Sequence, residues 1–249
     1  PSDPTYYTLT SFTTGETFSG NNTCYYKPIS TSACVGSSVT IGSNTYSITN
    51  INGQCWMTQN LKELPNGVPV TSQSTSPGGS SDLGMYGFYN ISNNSLWATS
   101  EPAANEGLIY QWSAAMLGST NERAQGICPT GWHIPSDCEW MYLEHGLGLS
   151  IQLQNSGGES RGTNNSDGTI GSKLSNRVSG GTNSTGFTGL LAGRMQGGFI
   201  VRGSNANFWT STTDNTSSAI TYGLKNTITT EARTSDRKYL GYSIRCLKD

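Results

Sequence analysis

Within ten residues, the segment GWHIPSDCEW at positions 131–140 commits the chain to a turn, a helix start and a buried aromatic face. Pro135 fixes its own φ near helical values. Ser136 and Glu139 form an S-x-x-E capping box in which each side chain satisfies a backbone amide of the other. A helix is therefore expected to begin at Asp137. Trp140, Leu143 and Leu147 recur at helical spacing and give it one apolar face, and Gly146 and Gly148 offer the left-handed backbone that ends it. Trp132 sits where a strand would hand the chain to that face. Aromatic residues around a capped helix are first of all core residues, so the segment reads as framework rather than as a site.

The rest of the chain can be hung from this helix. Residues 1–38 read as an irregular N-terminal segment anchored by Tyr6, Tyr7, Phe12 and Phe18, and residues 39–249 as one domain. Apolar residues 39–41, Tyr46 and Ile48 lead through Ile51 into Asn52-Gly53, the strongest short hairpin signal, and residues 54–61 continue as a strand. Residues 71–81 are almost all Ser, Thr, Gly and Pro, a surface loop. Leu108, Trp112, Ala115 and Met116 place a first amphipathic helix over residues 105–117, stopped by Gly118. Residues 151–165 are polar and glycine-rich, a long loop; residues 168–175 hold one helical turn. Further strands are expected at 187–191, 198–201, 208–212, 220–224 and 242–247. Strands, two helices, then strands, without βαβ alternation, predict an α+β fold with a mainly antiparallel sheet.

Composition removes several function classes. Charged residues make up only 12% and the formal net charge is -2, which leaves no electrostatic footprint for nucleic acid or an acidic membrane surface. No run approaches the roughly 20 apolar residues of a membrane helix. The first residue is Pro rather than Met, so a removed leader or an anchor to a membrane or filament is expected before it. The six cysteines Cys24, Cys34, Cys55, Cys128, Cys138 and Cys246 contain no C-x-x-C pair. In a polar, low-charge chain they predict disulfides and an exported, extracellular or cell-surface protein, and Cys24 with Cys34 is the expected local loop. Catalysis is poorly supplied. His133 lies in the turn, where a hydrogen-bonded core imidazole is expected, and His145 ends a helix, where its cation favours the dipole. No enzyme, no cofactor and no metal site are expected, although Asp214 or Asp236 with loop carbonyls leaves a calcium ion open.

Several blocks in one order carry a family resemblance: QCWMTQNLK, GLIYQWSAAM, GICPTGWHIPSDCEW, GFTGLLAGRM, ANFWTST and GYSIRCLKD. Together, from about residue 45 to the C-terminus, they resemble the Fibrobacter succinogenes major paralogous domain. The resemblance implies a C-type lectin-like fold in which the first and last strands pair and a cysteine near a helix is tied to the last strand. Cys128 with Cys246 is then the second disulfide, leaving Cys55 with Cys138. The lectin sugar-site motifs are replaced by Glu101-Pro102-Ala103 and Trp209-Thr210-Ser211, and the histidine cluster and paired thiols of oxidase relatives have no counterpart.

Between the last two blocks, residues 213–240 keep no clean period and are expected to form a loop-bearing surface. They resemble the variable region of diversity-generating retroelement proteins. By that resemblance Leu224, Arg233, Gly241, Ser243, Arg245 and Cys246 are scaffold. The ligand-binding positions are Ile220, Thr221, Tyr222, Lys225, Thr227, Thr229, Thr234, Asp236, Tyr239 and Leu240, with Tyr222 and Tyr239 as aromatic anchors. The expected partner is a protein or glycan on another cell or virus surface; the competing expectation is a structural or pilin-like surface subunit or adhesin with no diversified site.

Overall fold

A computed structural model describes residues 11–14, 23–26, 34, 38–65, 80–93, 98, 100–101, 105–158, 161, 169–228 and 231–249, with backbone alone for 11–14, 23–26 and Glu231. Strands β1 (Ser11–Thr14) and β2 (Thr23–Tyr26) pair in parallel. Strands β3 (Ser38–Ile41), β4 (Asn44–Ile51) and β5 (Gln54–Met57) form an antiparallel meander. Asn52 and Gly53 turn β4 into β5 with φ of 52° and 82°, the left-handed pair that an Asn-Gly hairpin requires. Strand β5 ends at Met57, short of the expected Leu61. The extended chain beyond it is held instead by the last part of the protein, Leu61 N–H donating to the Ile244 carbonyl at 2.9 Å.

Strand β6 (Tyr86–Gly87) pairs with β7 (Ile109–Tyr110), and helix α1 covers only Trp112–Met116. The first half of the expected helix over residues 105–117 is therefore extended chain ending in the two-residue strand β7. Gly107 (φ 77°) brings the backbone so close to residues 60–61 that a Cβ would lie 2.8 Å from the Leu61 carbonyl, and the Leu108 N–H donates to that carbonyl at 2.9 Å. Non-local strand partners override the local periodicity. Leu117 and Gly118 end the helix with φ of 49° and 78°.

Strand β8 (Trp132–His133) passes through Pro135 into α2 (Asp137–Gly146). Its capping box forms as the sequence predicts, the Ser136 N–H donating to Glu139 Oε2 at 2.9 Å and the Glu139 N–H to Ser136 Oγ at 3.3 Å. Gly146 has a different role from the expected stop. It is the last helical residue, and a Cβ there would lie 2.3 Å from the Asn52 side chain, so glycine is needed for close approach to the β4–β5 turn.

Helix α3 (Ile151–Asn155) occupies the start of the expected long loop, and α4 (Ile170–Leu174) falls inside the expected helical turn. Residues 187–191 form no strand; the Phe187 and Thr188 carbonyls accept from Arg245 instead. Hairpin β9 (Arg194–Met195) and β10 (Phe199–Ile200) precedes an antiparallel ladder of β11 (Asn205–Asn215), β12 (Ser218–Lys225) and β13 (Glu231–Arg237). Residues 213–240 are thus mostly strand, not loop. The inward cation Arg233 sits where an apolar residue would have revealed the period of two. Strand β14 (Leu247–Lys248) inserts between β5 and β8 and completes the order β3-β4-β5-β14-β8. The outcome is an α+β architecture of mostly antiparallel sheet with four short helices among the described residues.

Two apolar clusters fill it. In one, Trp140 and Leu143 of α2 meet Trp56, Phe187, Phe208 and Tyr222; in the other, Trp112, Trp132, Trp209, Tyr242 and Ile244 converge. Cys128 is bonded to Cys246 as the resemblance implies, but Cys34 is bonded to Cys55. That corrects both remaining pairings. Asn50, the cross-strand neighbour of Cys55, donates to Cys34 Sγ at 3.3 Å, so the N-terminal segment is stapled to the meander rather than to itself. Cys138 is also disulfide-bonded, the Cys24 side chain lies outside the described residues, and no described cysteine is free. No described helix is long and apolar enough to cross a membrane.

Candidate ligand-binding face

Alternation along β12 and β13 separates two faces. Ile220, Tyr222 and Leu224 point toward α2 and join the Trp140 cluster. Tyr222 lies flat on Trp140, centroids 4.8 Å apart and planes 9° apart, and its hydroxyl donates to Asp137 Oδ1 at 2.9 Å. Arg233 follows on the same side: its Nε donates to Asp137 Oδ1 at 2.8 Å and its Nη2 to Asp137 Oδ2, with both side chains 0% exposed. Burial works against the guanidinium charge, yet the Asp137 carboxylate outweighs it and raises the Arg233 pKa. The ladder is therefore bolted to the capped helix from within.

The opposite face is polar at one end. Asn205, Asn207, Gly223, Lys225, Thr234 and Asp236 surround a cavity of about 60 Å³, with Arg194 of β9 on its wall. Registers Asn205↔Lys225, Asn207↔Gly223 and Thr221↔Thr234 place these residues side by side. Gly193 (φ 75°) brings β9 to the ladder by a parallel bridge to Ala206; a Cβ there would meet the Ile200 carbonyl at 2.6 Å. Asp236 Oδ2 accepts from the Thr221 and Thr234 hydroxyls at 2.8 and 3.0 Å. Two other buried polar atoms of the lining, Arg194 Nε and Asn207 Oδ1, have no hydrogen-bond partner. Such groups cost free energy unless something else satisfies them.

The ten sequence-predicted positions divide accordingly. Lys225, Thr234 and Asp236 meet at the cavity. Thr227 is exposed in the β12–β13 turn. Tyr239 is half-buried beside a second, wider depression of about 560 Å³ at the other end of the ladder, which it lines with Asp82, Thr216 and Arg237. Thr229 lies outside the described residues. Ile220, Thr221, Tyr222 and Leu240 are corrections: at 2%, 1%, 0% and 5% exposure they are closed to a ligand. Ile220 and Tyr222 face the helix, Leu240 packs in the Trp112 cluster, and Thr221 holds Asp236 from beneath. Arg194, Asn205 and Asn207 were not foreseen. The alternation that runs from Asn205 into the ANFWTST block could have exposed the two asparagines; Arg194 arrives through the non-local bridges of its neighbours Gly193 and Met195, which leave no local mark.

The scaffold positions Leu224, Arg233, Gly241, Ser243, Arg245 and Cys246 are all buried. Arg245 is held by the Met57, Phe187 and Thr188 carbonyls and by Asn60 Oδ1, over the Phe187 ring at 4.2 Å; burial pulls its pKa down to about 9. His133 is locked between Glu139 (3.0 Å to Nε2) and Asp249 (2.6 Å to Nδ1). Burial opposes its charge, but the Glu139 carboxylate and the bond to Asp249 prevail and raise its pKa to about 9. Both ring nitrogens are engaged, a framework role. No group of three or more His, Cys, Asp or Glu side chains among the described residues could hold a metal ion. Asp214 is occupied by the Ser235 hydroxyl at 2.8 Å.

Comparison with curated proteins and with solved structures finds no match. A family model, the Fibrobacter succinogenes major domain, matches residues 49–248. That span takes in the end of β4 with β5, the capped helix, the ladder and the closing strand, well over half of the chain, and so the protein belongs to the Fibrobacter succinogenes major domain family.

Proposed function

We propose that this protein is a non-enzymatic, extracellular ligand-binding domain of C-type lectin-like fold, displayed on a surface, whose binding face is the polar side of the β11–β12–β13 ladder. Its partner is a protein or glycan on another cell or virus surface, and the segment is of the kind that diversity-generating retroelements rewrite. The observation that carries this reading is the division of residues 213–240 into an inward set fixed by Trp140 and Asp137 and an outward set gathered around cavities. A rigid sheet with free outward positions accepts substitution on one face without loss of the other. The disulfides fit an oxidising compartment.

The test replaces Lys225, Thr227, Asp236 and Tyr239 together by Ala or Ser in a displayed domain, with Tyr222→Ala as the inward control. A partner is first found by screening surface proteins and glycans. The outward variant should stay folded, losing less stability than Tyr222→Ala, and lose the partner. Tyr222→Ala should lose stability. Full affinity in a folded outward variant would put the ligand elsewhere. At the population level, codon changes should concentrate at the outward positions and spare Tyr222 and Arg233; even drift would instead favour a structural surface subunit.

A further inference from the structure

We propose that the cavity between Arg194, Asn207 and Asp236 is a subsite for a carboxylate that carries an N–H donor close by, as in an N-acylated amino acid or the end of a peptide chain. The inference rests on reading the outward face as the binding face. Arg194 brings a buried Nε–H with no partner, and among the described residues its guanidinium makes no ion pair. Planar guanidinium groups match carboxylates through two parallel N–H donors.

The other half of the pocket has the opposite polarity. Asn207 Oδ1 is a buried acceptor without a donor. Asp236 is a carboxylate whose Oδ2 takes hydroxyl bonds from Thr221 and Thr234. A bare anion would leave these two acceptors unsatisfied and would face the Asp236 charge. A carboxylate with an adjacent N–H puts its negative end on Arg194 and its donor on Asn207 and Asp236, meeting both. Size agrees: about 60 Å³ holds a few water-sized groups, which suits a chain end and not a whole sugar ring. Gly223 keeps the space open. A Cβ there would lie 3.2 Å from Asn207 Nδ2 and 3.1 Å from the Ala206 carbonyl, tight enough to press on the floor of the pocket.

The experiment is a titration of the full chain, followed by amide resonances of β11–β13, with N-acetylglycine, its neutral amide, and glucuronic acid. N-acetylglycine should saturate, and the neutral amide should bind at least about tenfold more weakly, since the charge-assisted pair is lost. Glucuronic acid, which carries the carboxylate on a ring, should bind more weakly than N-acetylglycine. Arg194→Gln should lose about tenfold and Gly223→Ala should weaken binding too, with unchanged melting curves showing that both fold. Equal binding of acid and amide by the unaltered protein overturns the subsite regardless of any variant, as does full binding by Arg194→Gln. If N-acetylglycine fails while the outward-face variant still loses its surface partner, the subsite is wrong and the binding face stands. If the outward variant keeps its partner, the face itself is wrong.

Discussion

Replacing Arg233 by Met removes a guanidinium from a place where no water can take over its task. Asp137 is left with its carboxylate 0% exposed, facing only the Tyr222 hydroxyl at 2.9 Å in place of that hydroxyl and two guanidinium donors. Two charge-assisted bonds are lost, each worth about 1.5 to 3 kcal/mol. Breaking a buried pair by removing one partner costs about 3 to 5 kcal/mol in general, and the two figures agree. For a chain of this size that lowers the melting temperature by roughly 6 to 20 °C. Urea unfolding followed by tryptophan fluorescence is the assay, since Trp140 lies on Tyr222 in the same layer. The double variant Asp137→Leu/Arg233→Met is the control: an apolar replacement of the whole pair is close to neutral, so most of the loss should return, less about 1 kcal/mol for the Tyr222 hydroxyl left unpartnered. A single variant costing under about 1 kcal/mol, or a double variant no better than the single, would refute the claim that this ion pair ties β13 to α2.

Trp140→Ala should cost about 3 to 5 kcal/mol, because the ring is fully buried among Trp56, Phe187, Phe208 and Tyr222; an unchanged midpoint would contradict that packing. Stability should also follow pH on two limbs. The His133 pKa is raised from 6.5 to about 9, so its contribution is complete below pH 6.5 and fades as pH rises through 9. The Glu139 pKa is lowered from 4.5 to about 2, so its contribution is complete above pH 4.5 and fades as pH falls toward 2. Melting temperature should therefore be highest between pH 4.5 and 6.5 as far as this pair is concerned, and His133→Gln should flatten the alkaline limb; an identical limb in that variant would remove His133 as its cause.

Local chemistry was legible in the sequence and long-range pairing was not. The Ser136–Glu139 box and the Asn52-Gly53 turn appear where they were expected because each is decided by residues within a few positions of itself. Helix α1 is shorter than expected because Leu108 has helical spacing to Trp112 but donates its N–H to the distant Leu61 carbonyl. The disulfide of Cys34 depended on which strand its segment would meet, which neighbouring residues do not encode. For the candidate site, the alternation of Ile220, Tyr222 and Leu224 with Thr221, Gly223 and Lys225 was present in the sequence. Treating Tyr222 as an exposed anchor concealed it. Arg233 hid the period in β13 because a cation facing inward makes sense only once Asp137 is known to lie opposite.

Strand β14 lies inside the five-stranded sheet, between β5 and β8, with Leu247 paired to both Trp56 and His133, and the cysteine that closes Cys128 is at position 246. A ribosome must therefore translate every codon of the ladder before the sheet and its covalent tie can close. A stop codon or shifted reading frame anywhere between residues 213 and 240 removes the strand that joins β5 to β8 together with that thiol, leaving Cys128 unmated. Such a chain offers quality-control machinery an open sheet edge and a reactive cysteine at once. The fold thus makes closure of its own sheet depend on an intact reading frame through residues 213–240.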